Sequence, residues 1–166
     1  GMLENIAPLE TQEEWDNSGW QLKLTDGEIT KVMVALEINR QVIYDAVLND
    51  TDLIITHHPL IFGGMKKVDH NDNTGNYLVE LIKHGISVYS THTPFDKCHG
   101  GNNDYLGNIL GLENVSLMGT DPSGFCRMGL VPGEGMSAQH FIEHAAKCLK
   151  TDKKLFSYAG FPDRAI

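Results

Sequence analysis

The sequence predicts an α/β fold, a mainly parallel sheet with helices on both faces. Three observations predict it. Short β-branched runs alternate with longer segments of helical spacing between residues 31 and 92. The run "DLIIT" (52–56) is apolar on both faces, as in a strand buried inside a parallel sheet. The resulting strand–helix–strand–helix–strand order calls for right-handed crossovers between parallel neighbours.

Taken in order, residues 3–7 read as the end of a helix broken at Pro8, and "EEWDNSGW" (13–20) is polar and turn-rich. "KVMVALEI" (31–38) is a strand. "NRQVIYDAVLND" (39–50) opens on Asn and spaces Val42, Ile43, Ala46 and Val47 as one helical face. "DLIIT" follows as the second strand. "TGNYLVELIKHG" (74–85) is a helix with Leu78, Leu81 and Ile82 inward and Gly85 as its stop. "ISVYSTH" (86–92) is the third strand, and "GNNDYLGNILG" (101–111) a short helix. "ENVSLMG" and "GFCRMGLVP" are two more strands, giving the C-terminal side an antiparallel edge. "SAQHFIEHAAKCLK" (137–150) is a helix capped by Ser137, and "KKLFSYAG" (153–160) a last strand. Gly1 ahead of Met2 reads as a tag remnant, so the expected unit is a single domain over 2–166, without repeat or linker.

The 166 residues suffice for one sizeable core. Acidic residues outnumber basic ones 22 to 13, for a net charge of -9, which argues against a protein held by nucleic-acid phosphates. No apolar run approaches the ~20 residues of a membrane span, so no membrane partner is expected. Cys98, Cys126 and Cys148 are scattered, with no CxxC pair. They read as thiols of a cytoplasmic protein rather than as a disulfide framework or a zinc site.

Ligands of open α/β sheets bind beyond the carboxyl ends of the strands. The three ends carry Glu37, then His57 and His58, then "THTPFD" with His92 and Asp96. All are metal-binding or proton-moving residue types. Adjacent side chains of an extended segment point to opposite faces, so His57 and His58 are read as one ligand for each of two ions unless the backbone turns. Asp96 has two oxygens with which to bridge them. Imidazole suits Zn, Fe, Ni or Cu, and a carboxylate adds affinity for Mn and Mg. Two such ions about 3.5–4 Å apart can clamp a substrate oxygen. His92 is the candidate catalytic residue, as a proton shuttle or as the group orienting Asp96, with a purely structural role as the alternative.

Two other motifs invite a functional reading. "HFIEH" (140–144) has the inverted-zincin pattern, but Phe141, Ile142, Ala145, Ala146 and Leu149 form the apolar face and place His140, Glu143 and His144 toward solvent. "HGGNND" (99–104) resembles a phosphate loop without the Walker lysine, and reads as a turn with a possible anion contact through Asn102 or Asn103.

"THHPLIF", "VYSTHTPFD", "GGNNDYLG", "APLETQEEWDNSGWQL" and "VMVALEINRQVIYDAV" together resemble segments of the NIF-three-like family of dinuclear metal proteins, often named GTP cyclohydrolase I type 2 homologues. The resemblance runs in family order from Ala7 to about Leu110. It implies one lobe of a two-lobed α/β fold. It implies His57, His58 and Asp96 as ligands of two divalent ions (Zn, Fe, Mn or Ni), a metal-dependent hydrolase acting on a small molecule, and a homo-oligomer, commonly a hexameric ring. The alternative is a non-catalytic metal-binding scaffold built on the same ring. The family usually has Asp where Glu37 stands. It completes its site with a His-x-x-x-Glu segment that is not found after Asp96. The expectation is therefore an N-terminal lobe without its second lobe and an incomplete metal site.

Overall fold

Strand-forming and helix-capping residues set the element order in the computed structural model, which describes residues 1–133, 135–161 and 163. Helix α1 (Met2–Ile6) ends before Pro8, and a 3₁₀ turn spans Leu9–Thr11. Strands β1 (Gly19–Leu22) and β2 (Val32–Ala35) precede helix α2 (Arg40–Leu48). Asn39 caps α2 by accepting the Val42 N–H at 3.0 Å. Strand β3 (Leu53–Thr56) leads to helix α3 (Asn73–Lys83), where Asp72 accepts the Gly75 N–H at 3.1 Å. Strand β4 (Ser87–Ser90) runs into the short helix α4 (Thr93–Lys97), with Pro94 in its first turn.

The sheet has the order β1-β4-β3-β2. The neighbours β2, β3 and β4 are parallel, and β1 joins the far edge antiparallel to β4. Register aligns Ala35 with Thr56 and Thr56 with Ser90, so three carboxyl ends finish level on one rim. Helices α2 and α3 bring Ile43, Ala46 and Leu81 against Ile54 and Val88 of the sheet, with Ile38 and Ile86 completing the buried cluster. This is the mostly parallel α/β arrangement expected from the two-faced apolar run at β3.

Backbone contacts divide the chain into two units, Gly1–Cys98 and His99–Ile166. In the second, helix α5 (Asn102–Ile109) packs on the antiparallel pair β5 (Glu113–Leu117) and β6 (Arg127–Leu130). Helix α6 (Ala138–Cys148) starts at Ser137, whose hydroxyl accepts the His140 N–H at 3.3 Å.

Three expectations are corrected. "KKLFSYAG" is not a strand: Asp152 turns the chain by accepting the Lys154 N–H, a 3₁₀ turn covers Lys153–Leu155, and residues 156–160 carry no regular structure. The stretch read as a polar loop ends in β1, whose buried Gln21 earns its place by accepting the Ile61 N–H and donating to the Asn17 carbonyl. The third strand stops short of His92: β4 ends at Ser90, and His92 is the N-cap residue of α4, which contains Asp96. Among the described residues, no helix is long and apolar enough to cross a membrane.

Candidate metal centre

The level rim of β2, β3 and β4 positions the site. Backbone pairing continues one step past the strands, with the His58 N–H donating to the Leu36 carbonyl at 2.9 Å. The chain then bends at His57 and His58. The buried Thr56 hydroxyl lies 2.9 Å from the His58 carbonyl and 2.7 Å from the Ser90 hydroxyl, tying the ends of β3 and β4 to that bend. The bend overturns the opposite-faces expectation for the doublet: the two rings converge, with centroids 5.2 Å apart.

His92 enters the same cluster from the end of β4, its ring centroid 4.9 Å from that of His57 and 5.8 Å from that of His58. One ring nitrogen from each of His57, His58 and His92 lies within 4.8 Å of the others. Asp96, one turn into α4, places Oδ1 3.5 Å from His57 Nε2. The sequence-nominated residues His57, His58, His92 and Asp96 are thus brought together inside the first unit.

Each imidazole is held through Nδ1. His57 Nδ1 lies 3.2 Å from the Thr91 carbonyl, His58 Nδ1 3.1 Å from Glu37 Oε2, and His92 Nδ1 3.0 Å from Asp16 Oδ1. Carbonyl and carboxylate oxygens accept, so these Nδ1 atoms donate. Imidazoles that ligate metals are commonly oriented by such an acceptor on the opposite ring nitrogen. Glu37 therefore has a definite partner. Asp16 escaped attention as a ring partner because it lies 76 residues from His92 in a segment read as loop.

Burial pushes the His57 pKa down, and the neighbouring His92 and His58 push the same way; Asp96 and the Thr91 carbonyl offset only part of this. His57 is therefore biased to the neutral form that binds metal. At Asp16 burial pushes the carboxyl up, but bonds from Thr93, Ser18, His92 and the Asn17 N–H outweigh it and hold the group below its usual range. Trp15 and Phe62, both largely exposed, flank His92 with ring centroids 5.9 and 6.2 Å away.

The other two motifs find local structural partners in the second unit. In "HFIEH", His140 is exposed and Glu143 pairs with Lys153. His144 is not solvated as expected: half-buried, it donates Nε2–H to the Leu110 carbonyl at 2.8 Å. In "HGGNND", Asn103 donates to the Phe125 carbonyl at 2.9 Å, and Asp104 takes the Gly100 N–H and pairs with Arg127.

Among proteins similar to this chain, a "GTP cyclohydrolase 1 type 2 homolog" of Clostridium perfringens is 36% identical over 121 residues, covering 73% of the chain and 46% of the relative. A relative of the same name from Clostridium acetobutylicum is 30% identical over 167 residues, covering 99% and 62%. Measured by these two coverages, 46% and 62%, the chain spans about half the length of the curated relatives it matches. Reduced HcgD from Methanocaldococcus jannaschii superposes with a TM-score of 0.75 at 32% identity, over 88% of this chain and 56% of that one. A Bacillus cereus protein related to NIF3 gives 0.66 at 32%, over 70% and 32%. The family model for Duf34/NIF3 (NGG1p interacting factor 3) matches residues 1–166, and with these likenesses it establishes that the chain belongs to the DUF34/NIF3 family.

Proposed function

We propose that this chain carries the N-terminal part of a dinuclear metal centre and that the whole protein is a metal-dependent hydrolase of a small molecule. The observation that carries the reading is the meeting of His57, His58 and His92 within 4.8 Å, with Asp96 beside His57. The donor set fits the group: imidazoles with one carboxylate suit divalent Zn, Fe, Ni or Mn. His57, His58 and Asp96 would hold two ions. Bound there, such ions supply Lewis-acid polarisation of a substrate oxygen and ease the ionisation of water.

The remaining steps belong to the protein. The bias of His57 toward the neutral form keeps a nitrogen lone pair ready for an ion at neutral pH. His92, with Nδ1–H on Asp16, presents Nε2 as a proton acceptor. Trp15 and Phe62 limit the water that reaches the His92 ring. Completion of the site by the His-x-x-x-Glu segment implied by the family resemblance is part of this proposal for the whole protein. So is a substrate like the GTP that the relatives' name suggests.

Elemental mass spectrometry of the purified protein and of His57→Ala/His58→Ala tests the site. Near-stoichiometric metal is expected of the whole protein, in which the site is complete, with at least a tenfold loss in the variant; equal content in both would overturn the assignment. A turnover screen of metal-loaded protein on purine nucleotides then tests the hydrolase, with activity lost in His58→Ala.

A second reading is a non-catalytic metal-binding scaffold in a homo-oligomeric ring. It is favoured by the bare apolar row of Val32 and Val34 on edge strand β2 and Leu36 just beyond it, exposed by 50%, 76% and 63%.

A further inference from the structure

We propose that Asp16 is the positioning residue that fixes His92 in its Nδ1–H tautomer, which turns Nε2 into the only proton-accepting nitrogen of that ring. This rests on the reading of His92 as the proton-handling group of the metal centre. The Asp16 side chain is fully buried, at 0% exposure, and it gathers five contacts. Oδ2 faces the Ser18 hydroxyl at 2.8 Å, the Thr93 hydroxyl at 2.5 Å and the Thr93 N–H at 3.1 Å. Oδ1 faces the Asn17 N–H at 2.7 Å and His92 Nδ1 at 3.0 Å.

The direction of each hydroxyl proton is settled from behind. The Ser18 hydroxyl accepts the His92 N–H at 3.0 Å, and the Thr93 hydroxyl accepts the Glu13 N–H at 3.1 Å. Each hydroxyl proton is thereby turned toward Asp16. Every group around the carboxylate then donates, and an ionised carboxylate only accepts. His92 Nδ1 must therefore carry its proton. The ring partners differ in kind across the cluster: His57 leans on a backbone carbonyl and His58 on Glu37, whose side chain is 55% exposed. His92 alone of the three rests on a carboxylate shut off from water. Ser18 also grips the His92 backbone, so ring and main chain are set by one segment.

The test is the tautomer, read by nitrogen-15 correlation of the imidazoles in chelator-stripped protein, at a mildly alkaline pH raised until the spectrum no longer changes. In the wild type the proton is expected on Nδ1 of His92. Asp16→Asn keeps the shape. Its oxygen is expected to take the Oδ2 place, where three donors meet, which puts the amide NH₂ against His92. The proton-bearing nitrogen should then shift from Nδ1 to Nε2, as an amide beside a histidine is able to force. Ser18→Ala removes another bond from the same carboxylate and is expected to leave the tautomer unchanged. A wild-type ring protonated on Nε2 overturns the proposal, and so does an Asp16→Asn ring still protonated on Nδ1. Should Asp16→Asn fail to fold, the wild-type spectrum still decides. Metal content measured on the whole protein before chelation is independent: an empty wild-type site there sinks the metal centre without moving the tautomer.

Discussion

Asp52 places a single carboxylate oxygen under three donors, the Thr30 N–H, the Thr30 hydroxyl and the Lys31 N–H, each at 2.8 Å. These bonds fasten the entry of β2 to the start of β3. The Lys31 N–H foremost, then the two Thr30 donors, hold the carboxyl below its usual range. A carboxyl lowered in the folded state adds stability above the unfolded value of about 3.9, and loses it as pH falls through the lower folded value. Asp52→Ala is therefore expected to melt below the wild type near neutral pH, with the difference shrinking as the pH falls below about 3.9. Melting curves across pH check this; a difference that persists unchanged in acid would refute it. Among single residues, the ones readable from the sequence were those announced by neighbours: two histidines before a proline, and His92 and Asp96 flanking a second one. Asp16 and Glu37 were not readable as ring partners. Their contacts join residues 76 and 21 positions apart, which only the folded register of the strands brings together.

Helix α3 shows how an element's sequence serves its packing rather than its propensity. Gly75 stands in the first turn, where alanine would favour the helix by about 1 kcal/mol. A β-carbon there would lie 2.2 Å from the Asp69 carbonyl oxygen and 2.7 Å from the Asp69 nitrogen. Both are backbone atoms of the loop entering the helix, so neither can swing aside. Gly75→Ala is expected to lower the urea midpoint with the m-value unchanged, by a net loss of about 1–3 kcal/mol. An unchanged or raised midpoint would show that the loop relaxes at no cost. Elements with strong periodicity, α2, α3 and α6, were readable, and so were the Asn39 and Ser137 caps of α2 and α6, but not the Asp72 cap of α3. Strand β1 was not readable: "GWQL" has a glycine and a glutamine where β2, β3 and β4 have β-branched residues, and its Gln21 is buried by bonding loop backbone groups. The expected final strand failed because "KKLF" satisfies its backbone locally, through Asp152, and among the described residues no strand pairs with it.

For the molecule as a whole, the sheet's two edges are treated differently. The β1 edge is reached through an antiparallel strand, whereas among the described residues no strand pairs with the outer side of β2, which bares Val32 and Val34 on one face with Leu36 just beyond its end. Open apolar edges invite pairing with another chain. Val34→Glu is expected to shift the protein toward smaller species in sedimentation velocity while leaving the far-ultraviolet circular dichroism unchanged; an identical distribution would remove edge pairing as the basis of any ring. The fold class was readable because the βαβ order leaves few topologies open. The division at Cys98 was not, since no linker marks it in the sequence.

The clasp between Thr56 and Ser90, reaching on to the His58 carbonyl, has a thermodynamic corollary. A domain that assembles its donors only around an ion must order its chain at the moment of capture, and its affinity is reduced by that entropy. Here the strand ends and the Nδ1 acceptors order the imidazoles as part of folding itself. At the proposed site an ion would meet donors already in place, so its residence would be governed by donor chemistry and exchange with solvent rather than by ordering of the chain.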